Sequence, residues 1–139
     1  MAIDGFQVVV PPDRSKPISI LIVEDEALVA SYIEEVLGAL EFRVAGIAAS
    51  STEALSLAAE LRPSLALVDI RLTGSIDGIE LAQQLRQRFA VPVIFLTGLA
   101  DADTTERARE AQPLGFLPKP FLPSQVFNAI RRALQPPQD

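Results

Sequence analysis

Apolar residues fall in two patterns along the chain. The first is the short unbroken run: Ile18-Ser19-Ile20-Leu21-Ile22-Val23, Leu65-Ala66-Leu67-Val68 before Asp69, Val91-Pro92-Val93-Ile94-Phe95-Leu96-Thr97, and the shorter Leu114-Gly115-Phe116-Leu117. Runs of this length, rich in β-branched residues, predict strands buried on both faces. Glu41 to Ala48 alternates and predicts one more strand. The second pattern is helical spacing. Val29, Ile33, Val36, Leu37 and Leu40 share one face of a helix expected over Ala27 to Leu40. Ser51 or Thr52 is the expected cap of an Ala- and Leu-rich helix that ends at Arg62-Pro63. Gly78 to Phe89 is expected to be a helix with Ile79, Ala82, Leu85 and Phe89 inward. The last helix, Pro123 to Leu134, carries the stripe Val126, Phe127, Ile130 and Leu134, and Arg131 and Arg132 complement its C-terminal dipole. Asp101 to Glu110 is the weakest helix, mostly charged residues and threonines with only alanines to face a core.

Five strands alternate with five helices. Continuous apolar strands joined by helices imply an α/β fold with a doubly wound parallel sheet, and right-handed crossovers leave few topologies. The organised part is residues 18–135. Residues 1–17 read as an arm, in which Phe6 to Val10 is strand-like but is closed by Pro11-Pro12. That stretch either lies extended on the domain or adds to a partner. Residues 136–139 read as a tail.

Composition narrows the chemistry. The 139 residues are 49% hydrophobic and 22% charged, the balance of a soluble globular domain. No run approaches the ~20 apolar residues of a membrane helix. The N-terminus lacks the basic region of a secretory signal, so a cytoplasmic protein without a membrane partner is expected. The chain has no Cys and no His, which excludes disulfides, thiolate chemistry, Ser-His triads and histidine metal sites. A net charge of −6 is wrong for a broad nucleic-acid footprint and suits cation binding.

The remaining reactive groups sit at strand ends. The first strand ends in Glu24-Asp25, the third in Asp69, the fourth in Thr97, and the fifth leads to Lys119. In a parallel sheet all five reach one edge, where ligands of such folds bind. Taken singly, Asp25 is a candidate helix cap, Thr97 a satisfied strand-end hydroxyl and Lys119 a solvated lysine. Together, three carboxylates repel one another unless a cation lies between them, and hard oxygen donors suit Mg²⁺. A metal site beside a Lys and a Thr fits phosphoryl chemistry, with a carboxylate as nucleophile.

The segments ILIVEDE, LALVDIRL, VPVIFLTG and GFLPKPF, in that order and spacing, closely resemble the receiver domains of two-component response regulators over about Ile18 to Leu134. The resemblance implies a flavodoxin-like (βα)5 fold with strand order 2-1-3-4-5. It implies Asp69 as phosphoacceptor, Glu24, Asp25, Asp69 and the backbone carbonyl of Arg71 around Mg²⁺ or Mn²⁺, and Thr97 and Lys119 as contacts of the phosphoryl group. Thr97 and Phe116 would form the switch, and Lys119-Pro120 is a candidate cis peptide. The implied donors are a sensor histidine kinase or a histidine phosphotransfer protein. If the chain is the whole protein, output is expected through a downstream protein target, onward relay, or phosphorylation-dependent homodimerisation, not through direct contact with nucleic acid; if it is a fragment, Pro136-Pro137 would begin a linker. No turnover of an independent substrate is expected beyond self-phosphorylation and slow self-dephosphorylation.

This chain also departs from the family pattern. The loop from Asp69 to Gly78 is about one residue longer than the commonest form, and the first acid is Glu24, not Asp. Arg71 and Leu99, the two variable positions near the phosphoryl group, offer no carboxylate or amide to orient water, which implies a long-lived phosphoryl group. Two other classes remain: a phosphorylation-independent pseudo-receiver that only binds protein, and an enzyme of the haloacid-dehalogenase type. Arg71 stands where the latter needs a second Asp. A nucleotide-binding Rossmann domain is disfavoured by the acidic, glycine-free turn after the first strand.

Overall fold

The computed structural model describes residues 18–72, 74–98 and 102–135. The readings of the arm (1–17), of Leu99 and of the tail (136–139) lie outside the described residues. The elements alternate strictly: β1 (Ser19–Val23), α1 (Ala27–Ala39), β2 (Arg43–Ala48), α2 (Ser51–Leu61), β3 (Leu65–Asp69), α3 (Gly78–Phe89), β4 (Val93–Thr97), α4 (Ala102–Ala108, continued by a 3₁₀ turn at Arg109–Ala111), β5 (Gly115–Pro118) and α5 (Pro123–Ala133). The strands form one parallel sheet in the order β2-β1-β3-β4-β5. The doubly wound topology therefore holds.

Alternation along the strands divides the core into two layers. Leu21, Val23, Ala66, Val68, Val93 and Phe95 face α2, α3 and α4. Ile20, Ile22, Leu65, Leu67, Ile94 and Leu96 face α1 and α5. Both faces of β3 and β4 are covered, which is why each reads as an unbroken apolar run. The edge strand β2 is less buried and carries a bulge at Ala45: Val44 pairs with Ile20, and the next pair is Gly46 with Leu21.

Several boundaries differ from those expected, each for a local reason. Glu41 takes a left-handed conformation (φ 68°), so β2 begins at Arg43, not Glu41. α2 is capped by Ser50, not Ser51 or Thr52. The Ser50 hydroxyl accepts from Glu53 N at 3.2 Å, and the Glu53 carboxylate accepts from Ala49 N at 2.9 Å. Ser51 instead turns into the core. Arg62 ends α2 in a left-handed conformation just before Pro63. On α3, Leu81 is buried alongside Ile79, Ala82 and Leu85, while Phe89 is half-buried. On α5 the buried stripe narrows to Val126 and Ile130. Phe127 and Leu134 stay more than a third exposed, Phe127 tilting against Phe42 at 6.4 Å. No described helix is long and apolar enough to cross a membrane.

Candidate functional site at the C-terminal edge of the sheet

β1 delivers Glu24 and Asp25 to the C-terminal edge. The backbone of Glu24 is anchored by its N–H to Ala48 O at 3.0 Å. Its side chain is fully buried, one oxygen accepting from Glu26 N at 3.1 Å. Asp25 is exposed. It does not cap α1, whose N-cap is Glu26 with no side-chain bond. β3 delivers Asp69, 6% exposed, whose Oδ1 accepts from Arg71 N at 2.9 Å. One carboxylate oxygen from each of Glu24, Asp25 and Asp69 lies within 4.8 Å of the others.

Lys119 enters from the loop after β5. Its Nζ donates to Glu24 Oε1 at 3.0 Å and to Asp69 Oδ2 at 3.3 Å. Its backbone N–H donates to Thr97 O at 2.6 Å, so the loop is tied to the end of β4. The Lys119-Pro120 bond is cis. Thr97, 7% exposed, follows Phe95 by two residues and so shares its sheet face. All five residues expected at this edge are thus brought to it.

The electrostatics follow from burial. Desolvation raises the pKa of Glu24, although the hydrogen bonds from Lys119 and Glu26 N act against it; the charge of Asp69 adds to the rise. For Lys119, burial favours the neutral amine, but bonds and charges from Glu24 and Asp69 outweigh it and the pKa is raised. The lysine stays an ammonium at neutral pH. One ammonium against three acids leaves the pocket short of positive charge. Clustered hard oxygen donors with an exposed member at the mouth fit a divalent cation such as Mg²⁺ or Mn²⁺.

A family model described as the response regulator receiver domain matches residues 20–131. The chain belongs to this family, the receiver domains of two-component signalling. It is similar to the transcriptional regulatory protein PdtaR of Mycobacterium tuberculosis, 34% identical over 122 residues covering 88% of this chain and 59% of that protein. It is also similar to the phyllosphere-induced regulator PhyR of Methylorubrum extorquens, 38% identical over 116 residues covering 83% of this chain and 43% of that protein. The receiver therefore spans roughly half the length of these curated relatives. Among solved structures, the receiver domain of a modulated diguanylate cyclase from Desulfovibrio desulfuricans G20 matches with a TM-score of 0.81 at 37% identity, covering 86% of this chain and 94% of that one. The anti-anti-sigma factor PhyR of Bartonella quintana matches with a TM-score of 0.74 at 31% identity, covering 87% of this chain and 49% of that one.

Further features of the receiver's site escaped the sequence reading. A Cβ on Gly78 would lie 2.3 Å from the Asp69 carbonyl oxygen, so the first turn of α3 packs directly on the backbone of Asp69 and admits no side chain there. The pair Asp77-Gly78, a cap followed by a glycine that opens a helix, was the available signal. Tyr32 of α1 donates its hydroxyl to Phe121 O at 3.0 Å, and the two rings meet at 5.9 Å. This fixes the loop after Lys119 to α1. A groove of about 460 Å³ opens beside it, lined by Leu28, Val29, Tyr32, Lys119, Pro120 and Phe121. Leu28 is 88% exposed at its rim. Phe116 is half-buried, stacked on Phe95 at 5.9 Å, with the Arg109 guanidinium 5.5 Å above its ring. The side chain of Arg71 is exposed.

Proposed function

We propose that this receiver is a phosphorylation-dependent switch that accepts a phosphoryl group onto Asp69 from the phosphohistidine of a sensor kinase or phosphotransfer protein. The observation that carries the reading is Lys119, whose ammonium contacts both Asp69 and Glu24 inside the three-carboxylate cluster. Arg71 N holds Oδ1 of Asp69, and Oδ2, which accepts from Lys119 at rest, attacks phosphorus as the lysine turns to the phosphoryl oxygens. The new O–P bond forms as the P–N bond to the donor imidazole breaks, and that electron pair leaves on the histidine nitrogen. Mg²⁺ or Mn²⁺, held by Glu24, Asp25, Asp69 and the Arg71 carbonyl, would offset charge on the phosphoryl oxygens. Lys119 passes from the Asp69 carboxylate to the phosphoryl oxygens, and the Thr97 hydroxyl donates to them.

The movement of Thr97 leaves room on the Phe95 face for Phe116 to turn inward. The surface of α4, β5 and α5 then shifts between two arrangements already in equilibrium. That surface acts on a downstream protein, relays the group onward or pairs two copies. The relatives are regulators, and one solved relative is an anti-anti-sigma factor, which supports output through a protein partner. The apolar groove from Leu28 to Phe121, opening beside Lys119, offers the phosphodonor a seat. Arg71 and Leu99 supply no carboxylate or amide to orient an attacking water, so the acyl phosphate persists. Donor and receiver meet in the cytoplasm.

Intact-mass measurement after acetyl phosphate and Mg²⁺ tests this. One phosphoryl adduct is expected on the wild type and none on Asp69→Asn. No adduct on either would replace the switch by a phosphorylation-independent binding module. Loss of the adduct within seconds would overturn the long lifetime.

A further inference from the structure

α4 is poorly anchored by apolar contact. Among its described residues Ala108 alone is buried, and Ala111 follows in the 3₁₀ turn. Polar contacts to α3 occur at two places instead. Arg107 donates to Asp77 Oδ2 at 2.6 Å, and Arg86 donates to Gln112 Oε1 at 2.5 Å. Asp77 is also the N-cap of α3, its other oxygen accepting from Glu80 N at 2.9 Å. The next residue is Gly78, whose backbone lies against the Asp69 carbonyl. One carboxylate therefore ties α4 to the backbone on which the acceptor aspartate rests.

We propose that Asp77 and Arg107 form a latch that holds α4 in its resting position and couples its release to the state of Asp69; the coupling half rests on the phosphoryl reading above. The pair is half-exposed, at 47% and 56%. Such pairs are weak, which suits a device that must open. A shift of the α3 N-terminus by a fraction of an ångström at Gly78 moves the Asp77 carboxylate with it. α4, lacking apolar ballast, then follows or lets go. Conversely, a receiver with the latch already open has less to break when it takes up the phosphoryl group.

Asp77→Asn separates latch from cap, because Asn keeps the oxygen that accepts from Glu80 N and replaces only the one facing Arg107. Hydrogen exchange of amides 102–111 in the unphosphorylated full chain should speed up about two- to fivefold in Asp77→Asn and in Arg107→Gln. The double variant should go no further than either single one. Salt near 1 M should reproduce the effect in wild type and add nothing in the double variant. Uptake from acetyl phosphate should rise by a similar factor in all three variants. Unchanged exchange, or effects that add in the double variant, overturns the latch. Faster exchange with unchanged uptake overturns the coupling and leaves only a tether. If wild type takes up no phosphoryl group, the switch reading and the coupling both fall, while the exchange result still decides whether the pair holds α4.

Discussion

α3 and α4 pack on the same face of the sheet, but they are held in opposite ways. α3 buries Gly78, Ile79, Leu81, Ala82 and Leu85 and is capped by a carboxylate. The described part of α4 buries Ala108 and is steadied by Arg107 on Asp77. Apolar burial stabilises by roughly 25 cal/mol per Å², whereas an exposed ion pair contributes on the order of 1 kcal/mol or less. One helix thus supports the backbone of Asp69 through apolar packing, and the described part of the other is held mainly by polar contacts. In the proposed switch both are needed: Asp69 would be held in position while the α4 surface responds to a single new charge.

The contrast can be broken or sharpened by measurement. Leu85→Ala should destabilise the fold by about 2–5 kcal/mol in chemical denaturation. A cost well below that would mean that α3 is no more anchored than α4. Gly78→Ala should cost about 1–3 kcal/mol, because the new methyl meets the Asp69 carbonyl and the helix must shift. Unlike Leu85→Ala, it should also slow phosphoryl uptake in protein that is still fully folded. Wild-type uptake by a folded Gly78→Ala protein would refute the support role of this contact. At tenfold excess over its dissociation constant, Mg²⁺ should stabilise the wild type by about 1.4 kcal/mol and raise the midpoint of thermal unfolding. Asp25→Asn should abolish that rise, and an undiminished rise would remove Asp25 from the cation site. Ala108→Gly on α4 should cost only about 1–2 kcal/mol, the helix-propensity loss plus one buried methyl. It should raise exchange of residues 102–111 selectively; a loss that spreads to β3 or α3 would make α4 part of the rigid core.

Much of this architecture is legible in the amino-acid sequence. The unbroken runs at Leu65 to Val68 and Val93 to Leu96 read as strands because burial on both faces leaves no polar position to interrupt them. The spacing of Ile79, Ala82 and Leu85 marked α3 to its exact ends. The edge elements were less legible. At β2 a bulge and a left-handed Glu41 disturbed the alternation, and at α2 the cap was expected at Ser51 or Thr52 but is Ser50, one hydroxyl residue earlier. Only packing chose among them, by drawing Ser51 into the core.

The site divides along the same line. That Glu24, Asp25, Asp69, Thr97 and Lys119 would gather at one edge followed from sequence alone, since every strand of a parallel sheet ends on the same side. How they meet did not follow. Lys119 and Glu24 are 95 residues apart, and their bond exists because the order β2-β1-β3-β4-β5 sets the distance between the two strand ends. The contact of Gly78 with Asp69 and the pairing of Arg107 with Asp77 are likewise tertiary facts. Periodicity is a local signal that reports which face of an element is buried. It carries no information about which buried or charged neighbour the rest of the chain will bring there, and that was decided by the closing of the sheet and the docking of its helices.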